Sequence, residues 1–233
     1  MKIPTESCDV IVIGGGSAAF EAAIAAHEHG AEKIIMLEKA PEAEYGGNAR
    51  YSGTGFRFWH AGLKEIREFV PGLDGDYINS LQISPYTNEE FSSDLERMTL
   101  GRMDDGLART LVEQSNAAVH WMKDIGIVWE LLKEHAKIGN KRYFERGIAI
   151  HVAGGGVGQL EQWRRIAEAR NIELRFSCPV SAIHGNMHRV EGVRVCTEER
   201  EYDLAAGAVI ACAGGFQANA EMRARYLAGN ADL

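Results

Sequence analysis

The sequence predicts an α/β fold with a parallel central sheet and a small antiparallel β-meander. Residues 9–13 form an apolar run that is followed directly by glycines 14–16. Such a run is typical of a strand buried on both faces of a parallel sheet. An alanine-rich segment, residues 17–29, and a second apolar run, residues 33–38, complete a βαβ unit with a right-handed crossover. Three short β-like runs follow, residues 173–176, 180–184 and 190–196, and a turn at Gly185-Asn186 joins the last two.

The rest of the chain is predicted to form helices, one further strand and loops. Helical patterning with strong helix formers marks four segments, and a strand ending in a glycine pair closes the sheet. A glycine-rich stretch after the βαβ unit predicts a long functional loop, and a polar, basic stretch lies further on. The helices are residues 89–98, 105–125, 159–170 and 219–227, the strand is 208–213, the loop is 41–75 and the basic stretch is 130–147.

Composition and charge exclude several classes of protein. The chain has 233 residues, of which 45% are hydrophobic and 25% charged, so it is not an intrinsically disordered chain. Lys and Arg number 25 against 33 Asp and Glu, which gives a formal net charge of −8. Because nucleic-acid binding needs a basic surface to meet phosphates, we expect no nucleic-acid partner.

The sequence also predicts a cytoplasmic protein. The apolar run near the start of the chain has strand length, whereas a membrane-spanning helix needs about 20 apolar residues, so we expect no membrane span. Residues 1–8 have neither the basic nor the apolar segment of a signal peptide. The four cysteines, Cys8, Cys178, Cys196 and Cys212, lie far apart and form no CxxC pair. We expect them to be reduced, buried thiols, and we expect no metal site.

The first motif with chemical meaning is Gly14-x-Gly16-x-x-Ala19, between the first strand and the first helix. The glycines allow a tight turn and a close approach of backbone to a pyrophosphate, toward which the helix N-terminus points its N–H groups. Glu38 ends the second strand, 22 residues after Gly16, where an acid would meet the ribose hydroxyls of an adenosine. The motif predicts a dinucleotide site and disfavours NADP, because Glu38 would repel a 2′-phosphate. The alternative is a glycine turn that merely packs a helix.

Two further glycine-rich segments point to a flavin. Residues 45–55 follow the second strand closely, and such a flexible segment suits the long ribityl and isoalloxazine parts of FAD. Residues 207–215 form a strand that ends in Gly214-Gly215, at the sheet edge where doubly wound folds bind ligands. Either segment alone is more often a plain turn.

In this order the motifs resemble the FAD-dependent fumarate reductase/succinate dehydrogenase flavoprotein family, and within it the tricarballylate dehydrogenase-like branch. The resemblance covers nearly the whole chain. It is carried by DVIVIGGGSAAFEAAIAAHEHG, LEKAPEAEYGGNARYSGTGFR, LARTLVEQSNAAVHWMKDIGIVWE, AGGGVGQL and GAVIACAGGFQANAEM.

The resemblance implies a Rossmann-like FAD-binding fold, with residues 1–233 as the N-terminal portion of one FAD-binding domain. It implies oxidoreduction of a CH–CH bond in a small polycarboxylate, with a possible electron-transfer partner. Asn48 stands where relatives with covalent flavin carry histidine, so we expect non-covalent FAD. The implied cofactor contacts are Gly14, Gly16, Ser17, Ala18 and Ala19 at the pyrophosphate, Glu38 and Lys39 at the ribose, Gly46, Gly47, Asn48, Ser52, Gly53 and Thr54 at the flavin, Val180 on the adenine side, and Ala213, Gly214 and Gly215 at FAD again.

Members of this family are much longer than 233 residues, and their substrate-capping domain and C-terminal FAD segment have no counterpart here. We expect a truncated chain, a chain completed by a partner, or a protein that is no longer an enzyme. The catalytic residues are therefore not assigned. Arg57, His60 and His151 could contact an anionic substrate, although a structural role is favoured for each. Two alternatives to the polycarboxylate enzyme are a 3-ketosteroid dehydrogenase-like flavoenzyme and a non-catalytic FAD- or nucleotide-binding fragment.

Overall fold

The computed structural model describes residues 6–227, which divide into two compact units. Residues 6–48 and 167–227 belong to the first unit, and residues 49–166 form the second. In chain order the elements are β1 (Glu6–Ile13), α1 (Ser17–Glu28), β2 (Ile34–Leu37), a 3-10 helix (Gly47–Tyr51), α2 (Leu63–Phe69), α3 (Gly75–Ser80), β3 (Leu81–Gln82), α4 (Asn88–Thr99), α5 (Asp105–Asp124), β4 (Trp129–Leu131), β5 (Ala136–Ile138), β6 (Lys141–Tyr143), β7 (Ile150–Val152), α6 (Gly155–Glu168), β8 (Glu173–Arg175), β9 (Val180–Gly185), β10 (Val190–Cys196), β11 (Glu201–Ala211) and α7 (Ala220–Tyr226).

The first unit is built on a six-stranded sheet with the strand order β8-β2-β1-β11-β10-β9. Strands β8, β2, β1 and β11 are parallel, whereas β11, β10 and β9 form an antiparallel meander. Strand β11 belongs to both parts, because residues 201–205 pair with β10 and residues 204–211 pair with β1. The predicted α/β fold with a parallel central sheet and a small meander is confirmed, and the two parts share one continuous sheet.

The core of the first unit lies against this sheet. Helix α1 buries Ala19, Phe20, Ala23 and Ile24, which recur at helical spacing on one face. All four residues of β2 are buried, as expected for a strand inside a parallel sheet. A second group of buried side chains joins β1 and β2 to the meander; it comprises Ile11, Ile35, Leu37, Cys178, Val193, Val195, Leu204 and Ala206.

The second unit combines helices α2–α5 and most of α6 with two small sheets of order β3-β6-β5 and β4-β7. Helix α4 begins with a capping box, in which Thr87 and Glu90 satisfy each other's backbone N–H groups. Asp104 caps α5 by accepting a hydrogen bond from Leu107 N. Helices α4 and α5 match the predicted segments 89–98 and 105–125, because strong caps and long amphipathic patterns agree there.

Other predicted boundaries differ from the structure. The segment 41–75, predicted as loop, contains α2 and a 3-10 helix. The basic stretch 130–147 contains β5, β6 and most of β4, which have three residues each. Strands this short show no alternation of polar and apolar residues. Helix α6 begins at Gly155, before the predicted start at residue 159, and β11 begins at Glu201 rather than at residue 208.

All four cysteines are free thiols. Cys178 is buried, whereas Cys8, Cys196 and Cys212 are half-buried, so the prediction that all four are buried is wrong for three of them. Within residues 6–227, none of the helices combines the length and the apolar character that crossing a bilayer would need.

Candidate functional site

The glycine turn after β1 is enclosed by the ends of the neighbouring strands. Gly14 has φ of 123°, and a Cβ atom there would collide with the carbonyl oxygen of Cys212, which follows β11. Gly14 N donates a hydrogen bond to Leu37 O (2.8 Å), and Cys212 N donates one to Ile13 O (2.8 Å). The turn therefore sits where β1, β2 and β11 all end, at the carboxyl edge of the parallel sheet, and only glycine fits at its first position.

The start of α1 has no side-chain cap. Gly16 is the N-cap residue, no side chain caps the helix, and no acidic residue lies in its first turn. Ala19 N donates to Gly16 O (3.0 Å), but a helix leaves its first N–H groups without partners in the helix itself, and these groups attract phosphates. Gly16 lies close to the loop after β2, since a Cβ atom there would be 3.3 Å from Gly46 O. The residues of the turn thus fit a pyrophosphate.

Glu38 lies beside this turn. Its side chain is buried, with 7% exposed, and Oε1 accepts a hydrogen bond from Ala40 N (2.7 Å). A Cβ atom on Gly15 would lie 2.7 Å from Glu38 Oε2 and 3.1 Å from Glu38 Cγ. Gly15 is therefore a site residue that the sequence-based interpretation missed, although the run Gly14-Gly15-Gly16 was the available signal. Lys39, the next residue along the chain, is exposed.

The other predicted contacts in the first unit lie in varied surroundings. Gly46 is buried near Gly16, whereas Gly47 and Asn48, at the start of the 3-10 helix, are exposed. The three residues after Cys212 are exposed at the end of β11; they are Ala213, Gly214 and Gly215. Val180, the first residue of β9, packs against the hydrophobic group that contains Ile35 and Leu37. The structure thus brings Gly14, Gly16, Ala19, Glu38 and Gly46 together, with Ala213 adjoining them, while Val180 lies against the core.

The predicted flavin segment continues in the second unit. Ser52 and Gly53 are exposed, whereas Thr54 is buried and donates its hydroxyl to Val152 O (3.1 Å). The preceding backbone rests on the first turn of α6, since a Cβ atom on Gly156 would collide with the carbonyl oxygens of Ala49 and Arg50. Gly156 was also missed from sequence, where the run Gly154-Gly155-Gly156 was its only signal.

Two arginines considered as substrate ligands, Arg57 and Arg146, are paired with acids. Arg57 forms ion pairs with Glu145 (3.1 Å) and Asp94 (3.7 Å) and donates to the carbonyl oxygen of Arg146 (2.8 Å). The Arg146 side chain in turn pairs with Glu90. These contacts account for both guanidinium groups, so neither is assigned to binding an anionic substrate.

The two histidines considered from sequence differ in their surroundings. His60 is 3% exposed, and its Nδ1 accepts a hydrogen bond from Gly62 N (3.1 Å). Burial lowers the pKa of His60, which keeps the ring neutral at pH 7. His151, on β7, has its Nε2 3.7 Å from Glu130 Oε2 on the neighbouring strand. The Nε2 atom of His60 is buried and has no hydrogen-bond partner within residues 6–227. Neither histidine is assigned a catalytic role.

Two further features concern titratable groups. Burial raises the pKa of Glu21, on α1, to about 7. Burial likewise raises the pKa of Cys212, and the nearby Glu21 carboxylate raises it further.

No group of three or more His, Cys, Asp or Glu side chains within residues 6–227 is arranged to hold a metal ion.

Known proteins share both the sequence pattern and this fold. A probable fumarate reductase, Ifc3, from Shewanella frigidimarina is 28% identical over 225 residues, which is 96% of this chain and 35% of that protein. The open conformation of a flavocytochrome c3 fumarate reductase superimposes with a TM-score of 0.74 at 26% identity, over 99% of this chain and 37% of that one. A 3-ketosteroid-Δ4-(5α)-dehydrogenase from Rhodococcus jostii RHA1 shares the fold, with a TM-score of 0.73 at 19% identity, over 97% of this chain and 50% of that one.

This chain thus spans half or less of the length of each of these proteins. Residues 9–228 match the family described as FAD dependent oxidoreductase (DAO). The glycine turn, the acid after β2 and the shared sheet edge are the features that an FAD pyrophosphate and ribose require. The chain therefore belongs to the DAO family of FAD-dependent oxidoreductases, and its cofactor is FAD.

Proposed function

We propose that this chain supplies the FAD-binding part of an oxidoreductase that acts on a CH–CH bond of a small polycarboxylate, of the tricarballylate dehydrogenase or fumarate reductase type. The observation that carries the proposal is the Gly14–Gly16 turn at the carboxyl edge of the sheet, with the Glu38 carboxylate beside it. FAD supplies the hydride chemistry when bound, and the task of this chain's residues is to hold and orient it.

Each residue would bind FAD through a feature of its own. The first N–H groups of α1 would receive the pyrophosphate, because no side chain caps them. Glu38 Oε1 is held by Ala40 N, which orients the carboxylate so that it can accept hydrogen bonds from ribose hydroxyls. The segment from Gly46 to Thr54 would border the flavin. In this proposal residues 1–233 are the N-terminal portion of a single FAD-binding domain.

The substrate and partners are inferred from relatives and composition. Support for a polycarboxylate comes from the similarity to a probable fumarate reductase and to a flavocytochrome c3 fumarate reductase. The similarity to a flavocytochrome also supports an electron-transfer partner. We propose that the protein acts in the cytoplasm, where its four free thiols would stay reduced.

Two other functions have support of their own. The fold match to a 3-ketosteroid dehydrogenase, with a TM-score of 0.73, supports a flavoenzyme that acts on a ketosteroid instead. A non-catalytic FAD- or nucleotide-binding fragment is supported by the pairing of Arg57 and Arg146 with acids.

The test has two stages. FAD titration of the 233-residue chain, followed by flavin fluorescence, tests cofactor binding, and a chain that binds no FAD would contradict the proposal. A dye-linked assay of the whole product of the gene that encodes this chain then compares fumarate and tricarballylate with a 3-ketosteroid. Turnover of a polycarboxylate supports the proposal, turnover of the ketosteroid alone supports the second function, and FAD binding without turnover of either supports the fragment.

A further inference from the structure

Thr54 has an unusual backbone conformation for its residue type. Its φ is 55°, in the left-handed region that β-branched residues rarely adopt. Thr54 is only 3% exposed, so the protein around it encloses the residue. A residue stays in such a conformation only when its surroundings hold it there, and such residues are concentrated at sites of function.

Three hydrogen bonds hold Thr54. Its hydroxyl donates to Val152 O (3.1 Å), and its carbonyl oxygen accepts from Val152 N (3.3 Å). Its own N–H donates to Ser52 Oγ (2.9 Å). Two of the three bonds therefore join Thr54 to one residue of β7, and the third closes the exposed turn that precedes it.

The residues after Thr54 continue along β7. Gly55 forms an antiparallel bridge with His151, and Phe56 N donates to Ile150 O (3.4 Å). On its other side, β7 pairs with β4, where Glu130 lies opposite His151. His151 is thus flanked by backbone on both sides, and the position of Thr54 fixes which residue lies beside it.

The turn before Thr54 is fixed at its other end as well. The close packing of Gly156 against the carbonyl oxygens of Ala49 and Arg50 holds the backbone that leads into the turn. Ser52 and Gly53 lie between these two anchors and are exposed. An exposed turn anchored at both ends can present its backbone to a ligand in one geometry, which lowers the entropy lost on binding.

We propose that Thr54 is a positioning residue, whose hydroxyl bond to Val152 O sets the geometry of the Ser52–Gly53 turn. The inference rests on the proposed function, in which residues 46–54 border the flavin. Thr54 acts through its neighbours in this proposal, because its hydroxyl hydrogen is already donated to a backbone carbonyl.

Three substitutions separate the hydroxyl from the backbone strain. Thr54→Val keeps the shape and removes the hydroxyl, Thr54→Ser keeps the hydroxyl, and Thr54→Gly removes the hydroxyl while relieving the strain at positive φ. Thr110→Val is the matched control, since the Thr110 hydroxyl also donates to a backbone carbonyl, that of Gly106, but on α5.

The first measurements are FAD titration of the 233-residue chain and the visible spectrum of the bound flavin. Loss of the hydrogen bond from the Thr54 hydroxyl to Val152 O is expected to raise the FAD Kd about tenfold in Thr54→Val and in Thr54→Gly. It is also expected to shift the flavin absorption bands. Thr54→Ser and Thr110→Val should keep the wild-type Kd and spectrum. The Thr54→Ser result separates positioning by the hydroxyl from a general need for threonine.

Two outcomes would overturn the inference. One is wild-type FAD affinity with an unchanged spectrum in Thr54→Val. The other is the same result in Thr54→Gly, and this variant decides the question if Thr54→Val does not fold. If the wild-type chain binds no FAD, the proposed function fails. The rate of tryptic cleavage after Arg50 then tests separately whether the Thr54 hydroxyl bond holds the turn. Faster cleavage in Thr54→Gly than in Thr54→Ser would support the positioning role of the Thr54 hydroxyl, whereas equal rates would overturn it.

Discussion

The carboxylate of Glu38 lies against the backbone of Gly15, with Oε2 2.7 Å from the position that a Cβ atom on Gly15 would occupy. Glu38 is buried and is held by Ala40 N, so it cannot move away without losing that hydrogen bond. The two residues therefore form one element of the site, in which the glycine makes room for the acid that is proposed to bind the ribose.

Gly15→Ala should therefore weaken FAD binding by displacing Glu38. We expect a rise in the FAD Kd of about tenfold, measured by flavin fluorescence titration. The effect should be smaller in a Glu38→Ala background, where the obstructing side chain is gone, so the two substitutions should not be additive. Gly106→Ala, in the first turn of α5, is the control and should bind FAD normally. Additive losses from Gly15→Ala and Glu38→Ala would contradict the relationship.

Glu38→Ala alone tests the ribose contact. A charged hydrogen bond contributes roughly 1.5–3 kcal/mol, so the FAD Kd should rise by about tenfold to a hundredfold. Because Glu38 Oε1 also accepts from Ala40 N, thermal unfolding of the FAD-free variant must be measured separately. Glu44→Ala, at an exposed carboxylate in the same loop, should leave the Kd unchanged. A Kd that also stays unchanged in Glu38→Ala would limit Glu38 to its local hydrogen bond.

The flavin should be released when the protein is denatured. Asn48 stands where relatives with covalent flavin carry histidine, and an amide side chain forms no such bond. Acid precipitation of the FAD-loaded chain is expected to leave all of the flavin absorbance in the supernatant. Flavin that remains in the washed pellet would show a covalent link, and peptide mapping of that pellet would then locate it.

Glu21 should make stability depend on pH. Its folded pKa of about 7 lies above the ordinary value of 4.5, because burial disfavours the carboxylate. The folded chain therefore holds this proton more tightly than the unfolded chain does. Its contribution to stability is complete below pH 4.5 and is lost as the pH rises through 7.

Glu21→Gln removes this titration, since the amide stays neutral. The free energy of unfolding at pH 8 should rise by on the order of 1–3 kcal/mol, with little change at pH 4.5. Urea denaturation at the two pH values measures the effect, and the exposed Glu32→Gln is the control. An equal change at both pH values would mean that Glu21 is not the titrating group.

The sequence predicted best where several residues carried the same signal. Strand β1, the Gly14–Gly16 turn and α1 follow one another, and each supports the assignment of the next. The long helices α4 and α5 show helical periodicity together with caps. Helix α2 and the strands of two or three residues do not, because their positions depend on contacts with distant parts of the chain. One such contact is the Glu65 carboxylate, which accepts hydrogen bonds from Asn116 and His120 on α5.

The same distinction applies to the candidate site. Gly14, Gly16 and Glu38 could be predicted, because a motif fixes their spacing. The roles of Gly15 and Gly156 could not, since each depends on which backbone or side chain packs against it in three dimensions. The buried hydroxyl bond of Thr54 was equally inaccessible, because Val152 lies far away in sequence and reaches Thr54 only through the pairing along β7.

The 233-residue chain with added FAD should show no dehydrogenase or fumarate reductase turnover. Substrate carboxylates need cationic side chains to bind and polarise them, and Arg57 and Arg146 are already neutralised by Glu145, Asp94 and Glu90. A dye-linked assay across several di- and tricarboxylates, with free FAD as the control, measures this. FAD binding should survive, because the pyrophosphate turn is complete within residues 14–19. Turnover clearly above that of free FAD would contradict the prediction, and loss of that turnover in Arg57→Gln or Arg146→Gln would then show which guanidinium leaves its ion pair to bind substrate.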